Sequence, residues 1–161
     1  MADNSGRPES TGPPQLFYNA VEAQKYVGSS RMSEIQTKLT ERTLELLNLP
    51  NDGQPRFLLD IGCGSGLSGE VLEEQGHYWM GMDISKHMLQ KARDRDVDGD
   101  LVQSDMGEGV PVRPGVFDGA ISVSALQWLC NADTKEQVPQ KRLKVFFDSL
   151  YAALASGTRG V

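Results

Sequence analysis

The stretch Phe57-Leu58-Leu59-Asp60-Ile61-Gly62-Cys63-Gly64-Ser65-Gly66-Leu67-Ser68-Gly69 decides the fold of this chain. Its opening apolar run ends in an acid, as expected of a strand buried on both faces. Glycines then break the run, and Leu67, Val71 and Leu72 resume it at helical spacing until Gly76. A strand that passes through a glycine-rich turn into a helix opens a βα unit and aims the helix N-terminus at a ligand crevice.

The pattern repeats downstream. Residues 78–82 read as a second strand ending in Asp83, and Ser85 can cap a helix carrying Met88, Leu89 and Ala92. A weaker third strand, Gly99-Asp100-Leu101-Val102-Gln103-Ser104, ends at Asp105, and residues 117–122 form a fourth. From about Pro139 a long helix carries Leu143, Phe146, Phe147, Leu150, Tyr151 and Leu154, with Gly157 as terminator. Strands alternating with helices predict an α/β, doubly wound parallel sheet. Upstream, residues 31–49 read as a helix with Met32, Ile35, Leu39 and Leu46 on one stripe, stopped by Pro50. The division that follows is a flexible polar arm over residues 1–14, a helical lid over 15–50, and the cofactor-binding portion of a domain over 51–161.

Composition narrows the function. The 161 residues contain no apolar run near the length of a membrane span, and no leader-like charged and apolar opening. A net charge of -6 counts against strong direct nucleic-acid binding by the chain as a whole. Cys63 and Cys130 form no C-x-x-C pair and stand far from His77 and His87, so no zinc site is expected and a reducing, intracellular setting is. The histidines read as surface or loop residues, and Cys63 as a small residue chosen for its size.

Two fingerprints overlap in the loop. Gly64-x-Gly66-x-x-Gly69 with Asp83 downstream fits a dinucleotide, while the D-x-G-x-G-x-G run from Asp60 through Gly62 and Gly64 to Gly66 fits S-adenosylmethionine. Charge separates them. A pyrophosphate suits a helix N-terminus, but the Asp60 carboxylate at the strand tip would repel it. An ammonium and a sulfonium are instead attracted by Asp60, directly or through water. Asp83 can accept both ribose hydroxyls, and Asp105 can accept from the adenine amino group with Met106 against the ring. S-adenosylmethionine is therefore the expected cofactor, and no metal is expected.

Beyond these motifs the chain resembles the eukaryotic small-subunit (18S) rRNA guanine-N7 methyltransferases, the family linked to the Williams–Beuren syndrome region. The likeness runs through Pro13-Pro14-Gln15-Leu16-Phe17-Tyr18, Glu22-Ala23 with Lys25-Tyr26-Val27, and Ser30-Arg31-Met32. It continues in the glycine loop, Gly76-His77-Tyr78-Trp79, Met82-Asp83-Ile84-Ser85, Asp105-Met106-Gly107 and Phe117-Asp118-Gly119. Ser124-Ala125 with Gln127-Trp128-Leu129-Cys130-Asn131-Ala132 is its most specific part.

The resemblance implies a class I, Rossmann-like S-adenosylmethionine-dependent methyltransferase fold, here truncated after about four parallel strands, with residues 158–161 opening a fifth. It implies methyl transfer to N7 of a guanosine during ribosome biogenesis, in the nucleus and also the cytoplasm. It further implies a heterodimer with a small zinc-binding activator subunit, for which the edge strand Gly99 to Ser104 is the expected dock, and pre-ribosomal RNA as a second partner. The expected cofactor set is Asp60, Gly62, Cys63, Gly64, Gly66, Asp83, Ile84, Asp105, Met106, Tyr26 and Arg31, with Arg31 meeting the methionine carboxylate and Tyr18 and Tyr26 either roofing that end or simply packing. Ser124, Gln127 and Trp128 are the expected substrate wall. Trp128 either stacks on guanine or is an ordinary core aromatic, and Gln127 either reads the base edge or makes a local cap. No general base is expected, since N7 is already nucleophilic at neutral pH. The alternatives are a non-catalytic module that keeps cofactor or activator binding, another methyltransferase of similar fold, and an NAD-dependent oxidoreductase, which Asp60 disfavours.

Overall fold

A computed structural model of the chain describes residues 7–161. The first six residues of the expected arm lie outside them. Of the rest of that arm, Pro8–Ser10 form a 3-10 turn whose Glu9 carbonyl accepts from the Asn131 side-chain amide at 2.9 Å. Three helices follow: α1 (Pro14–Phe17), α2 (Ala20–Val27) and α3 (Ser30–Leu47). Asn19 caps α2 and Ser29 caps α3 through side-chain oxygens, and Asn48 closes α3 in the left-handed conformation before Pro50.

The stripe expected to bury α3 does not do so. Ile35, Leu39 and Leu46 are 42%, 41% and 52% exposed, whereas Thr40 and Leu47 are buried and Leu44 packs on the core. The helix carries a second apolar edge, and this one, ending in Leu47, reaches the sheet because glycine at position 119 leaves room: a Cβ there would stand 3.1 Å from the Leu47 side chain. The stripe of Met32, Ile35 and Leu39 faces the cavity described below.

The sheet consists of β1 (Phe57–Ile61), β2 (Tyr78–Asp83), β3 (Asp100–Gln103) and β4 (Gly119–Ile121). Its order is β3-β2-β1-β4, with every pairing parallel. Helices α4 (Leu67–Glu74), α5 (Lys86–Asp94) and α6 (Pro139–Ala153) complete it. Alternation along each strand divides the apolar residues between two cores. Leu59, Ile61, Met82 and Ala120 meet Phe146 and Ala153 of α6, while Leu58, Trp79 and Ile121 meet Leu47, Leu72 and Leu89. Asp60, in step with Leu58, falls on the second side.

β4 is shorter than the expected 117–122. Phe117 bridges to Leu154, and Asp118 spans to β1, where its carboxylate accepts from the Phe57 amide at 2.8 Å. The expected opening of a fifth strand is present as a parallel bridge from Ala120 to Gly160. Ala120 donates to the Arg159 carbonyl, and Ser122 to that of Val161.

Trp79 packs against three glycines, Gly69, Gly81 and Gly99. A Cβ on Gly69, inside α4, would lie 2.0–2.4 Å from its indole. Gly69→Ala is therefore expected to destabilise the chain by about 1–3 kcal/mol despite alanine's better helix propensity, read as a lowered urea midpoint with unchanged slope.

Candidate active site

The glycine loop is built from left-handed residues. Gly62, Gly64 and Gly66 have φ of 76°, 55° and 82°, a region that side chains with a Cβ enter at a cost. The Gly62 and Cys63 amides donate to the Met82 carbonyl at 2.8 and 3.1 Å, so the loop folds over the end of β2. Gly66 begins α4, and Gly62 presses on the segment after β4, where a Cβ would stand 2.4 Å from that of Ala125.

Asp83 organises the next tip. Its Oδ2 accepts from the Gly64 amide at 2.9 Å and its Oδ1 from the Ser85 amide at 2.7 Å. Burial pushes its carboxyl above the usual range, opposed by the amides of Ser85, Gly64 and Ile84. Ser85 caps α5 and donates its hydroxyl to the Tyr18 carbonyl at 2.8 Å, tying the N-terminal helices to the sheet. Burial raises the hydroxyls of Tyr18 and Tyr26 above their ordinary value, aided by the Asp83 charge.

A cavity of about 350 Å³ opens over these strand tips. Of the expected cofactor set, Gly62, Cys63, Gly64, Asp83, Ile84, Asp105, Met106 and Tyr26 line it, as do Ser124, Gln127 and Trp128 of the expected substrate wall. Gly66 lies behind, holding α4 against α5, since a Cβ there would meet Val97 and Ala92.

Two further residues of the expected set, Arg31 and Asp60, do not line the cavity. Arg31, expected at the methionine carboxylate, is exposed on α3 and does not line the cavity, because the capped helix points the apolar Met32, Ile35 and Leu39 inward instead. Asp60, expected to attract the cation directly or through water, is fully buried beneath the loop, where Ser68 donates its hydroxyl to Oδ2. Its Oδ1 has no partner, and neither has the buried Ser65 hydroxyl beside the loop. Burial pushes the Asp60 carboxyl up to about 7, with Ser68 opposing and the Asp83 charge adding to the rise. At neutral pH this group is poised between its neutral and charged forms.

Asp105 caps the 3-10 turn Met106–Glu108 through the Gly107 amide and is held by Arg142 of α6. Spacing gave no hint of Arg142, which sits far down the chain on a helix read for its apolar face. Ser124 adopts a left-handed φ of 58°, and its carbonyl accepts from the Gln127 side chain at 2.8 Å, so the local bond expected as one alternative for Gln127 is present. Trp128 packs as the core-aromatic alternative expects. It is buried against Phe17 and Tyr18, with ring centroids 5.9 Å from each, and it also borders the cavity.

The lining therefore carries three acids, Asp83, Asp105 and Asp133, against Arg142, a balance that suits a cationic ligand. The unpaired Asp60 Oδ1 and Ser65 Oγ, the left-handed glycine cradle and the acid at the tip of β2 fit S-adenosylmethionine.

A parallel Rossmann-like sheet with these acids at its tips defines a class I methyltransferase fold. The chain belongs to the methyltransferase domain family, whose model matches residues 59–155. It is 64% identical over 161 residues to a mouse 18S rRNA (guanine-N(7))-methyltransferase, covering all of this chain and 57% of that protein. The chain thus spans little more than half the length of that curated relative. Among solved structures, a putative S-adenosyl-L-methionine-dependent methyltransferase from Methanococcus maripaludis superposes with a TM-score of 0.68 at 18% identity, covering 99% of this chain and 65% of that one. A complex between the Haloferax volcanii Trm112 methyltransferase activator and a putative methyltransferase matches with a TM-score of 0.62 at 21% identity, covering 85% and 57%. Among the described residues no helix is long and apolar enough to cross a membrane.

Proposed function

We propose that this chain carries the cofactor-binding part of an S-adenosylmethionine-dependent enzyme that methylates N7 of a guanosine in small-subunit rRNA during ribosome biogenesis. The observation that carries the reading is the cavity that joins the acidic strand tips to the Ser124-Gln127-Trp128 wall. The identity to the mouse rRNA methyltransferase supports the choice of substrate.

S-adenosylmethionine, when bound, supplies a methyl group on a sulfonium. Asp83 would hold the ribose diol, Met106 and Ile84 would flank the adenine, and the loop of Gly62, Cys63 and Gly64 would face the methionine end. Guanine N7 is unprotonated at neutral pH and needs no side chain to activate it, so the protein contributes positioning. Trp128 supplies an aromatic surface at the base. Gln127 spends one amide hydrogen on Ser124 and keeps its Oε1 to accept from a donor on the guanine edge.

The proposed activator partner is a small zinc-binding subunit that adds a strand to β3. β3 lies at the edge of the sheet with one side unpaired, and the Trm112 complex among the fold neighbours supports a partner of this kind. Action on pre-ribosomal RNA in the nucleus, and residence in the cytoplasm, belong to the same proposal.

The test supplies methyl-labelled S-adenosylmethionine and small-subunit rRNA, with and without the activator. Label at guanine N7 is expected, strongest with the activator present. Saturable cofactor binding without transfer would favour a binding module, and exchange protection on α6 in place of β3 would overturn the docking edge.

A further inference from the structure

Among the described residues lining the cavity, Arg142 is the one cation. Its Nη2 donates to both Asp105 oxygens at 2.7 Å each, and the two side chains are only 13% and 22% exposed. The Gly107 amide donates to Asp105 Oδ1 at 2.8 Å. A carboxylate offers about four lone-pair positions. Gly107 and Arg142 occupy both on Oδ1, and Arg142 occupies one on Oδ2, so a single acceptor position on Oδ2 remains. Gly107 makes this clamp possible: a Cβ there would stand 2.3–2.6 Å from the guanidinium, which lies flat against the turn.

We propose that Arg142 is a positioning residue that holds Asp105 so that its one remaining acceptor position selects a purine with an amino group at C6 over one with an oxo group. This rests on the reading of the cavity as an adenosyl site. A 6-amino group donates to the open position on Oδ2. A 6-oxo group sets a second acceptor against that position, and the one donor such a purine keeps on this edge, N1–H, lies one ring atom away, so a carboxylate fixed on the 6-position cannot take it without turning. With Arg142 gone, Asp105 is free to turn about its side-chain torsions and the selection relaxes.

The experiment is calorimetric titration of the full chain with S-adenosylhomocysteine and with S-inosylhomocysteine, its 6-oxo counterpart. The native chain should prefer the adenosyl ligand by about 10- to 100-fold, as one unmade hydrogen bond costs. In Arg142→Met the ratio should fall towards one, and Arg142→Lys should restore part of it. Gly107→Ala keeps both charges but displaces the guanidinium, and should lower the ratio as Arg142→Met does. It carries the comparison if Arg142→Met does not fold. A general loosening of the cavity weakens both ligands alike and leaves the ratio standing, so an unchanged ratio in either folded variant overturns the proposal. Equal binding of both ligands by the native chain overturns it too, while sparing the adenosyl reading. Binding of neither ligand overturns the adenosyl reading itself.

Discussion

Asp60→Asn is expected to flatten two pH dependences at once, that of folding stability and that of S-adenosylmethionine binding. The folded chain holds the Asp60 carboxyl at about 7, against an ordinary 3.8. Between those values the folded state binds more protons than the unfolded state, so this group makes stability fall as pH rises. The penalty begins near pH 4 and is complete above pH 7, on the order of 4 kcal/mol at one pKa unit per 1.36 kcal/mol. The asparagine variant lacks this slope, and urea denaturation at pH 5 and pH 8 reads the difference. A bound cation reverses the preference, because it stabilises the ionised carboxylate. Binding to the native chain should therefore tighten by about tenfold from pH 6 to pH 8 relative to the variant, which reports the ligand's own titration alone. Parallel pH profiles for the two proteins would show that Asp60 does not feel the ligand's charge.

Gly62→Ala is expected to cost about 2–5 kcal/mol, combining a left-handed alanine with an overpacked contact. At φ of 76° its new Cβ would lie 2.4 Å from that of Ala125. Either the loop or the segment after β4 must move, and both are walls of the cavity. Cofactor affinity should fall with stability. Gly53→Ala is the control: its φ is 70° but nothing lies within 4 Å, so it should show only the backbone cost, about 1–2 kcal/mol. Equal urea midpoints for the two variants would remove the close approach from the account.

The parallel sheet and the glycine turn after β1 were legible because they rest on local signals: apolar runs, strand-end acids and glycines at fixed spacing. The edge position of β3 came from the resemblance to a known fold. Burial of a charge is not local. Asp60 looks like any strand-tip acid in sequence, and only the pleat places it in step with Leu58, under α4 and beside Ser68. Arg31 and Arg142 show the same limit. Arg31 neighbours family-like residues but turns to solvent, while Arg142 reaches the cavity because α6 crosses the turn at Gly107. On α3 two apolar stripes compete, and the glycine at 119 decides which one meets the sheet. No periodicity within α3 contains that fact.

The most direct measurement is calorimetry of this chain with S-adenosylmethionine and, separately, with NAD. The account predicts saturable one-to-one binding of S-adenosylmethionine, lost in Asp83→Ala, and no heat from NAD. Binding of NAD with none of S-adenosylmethionine would contradict it.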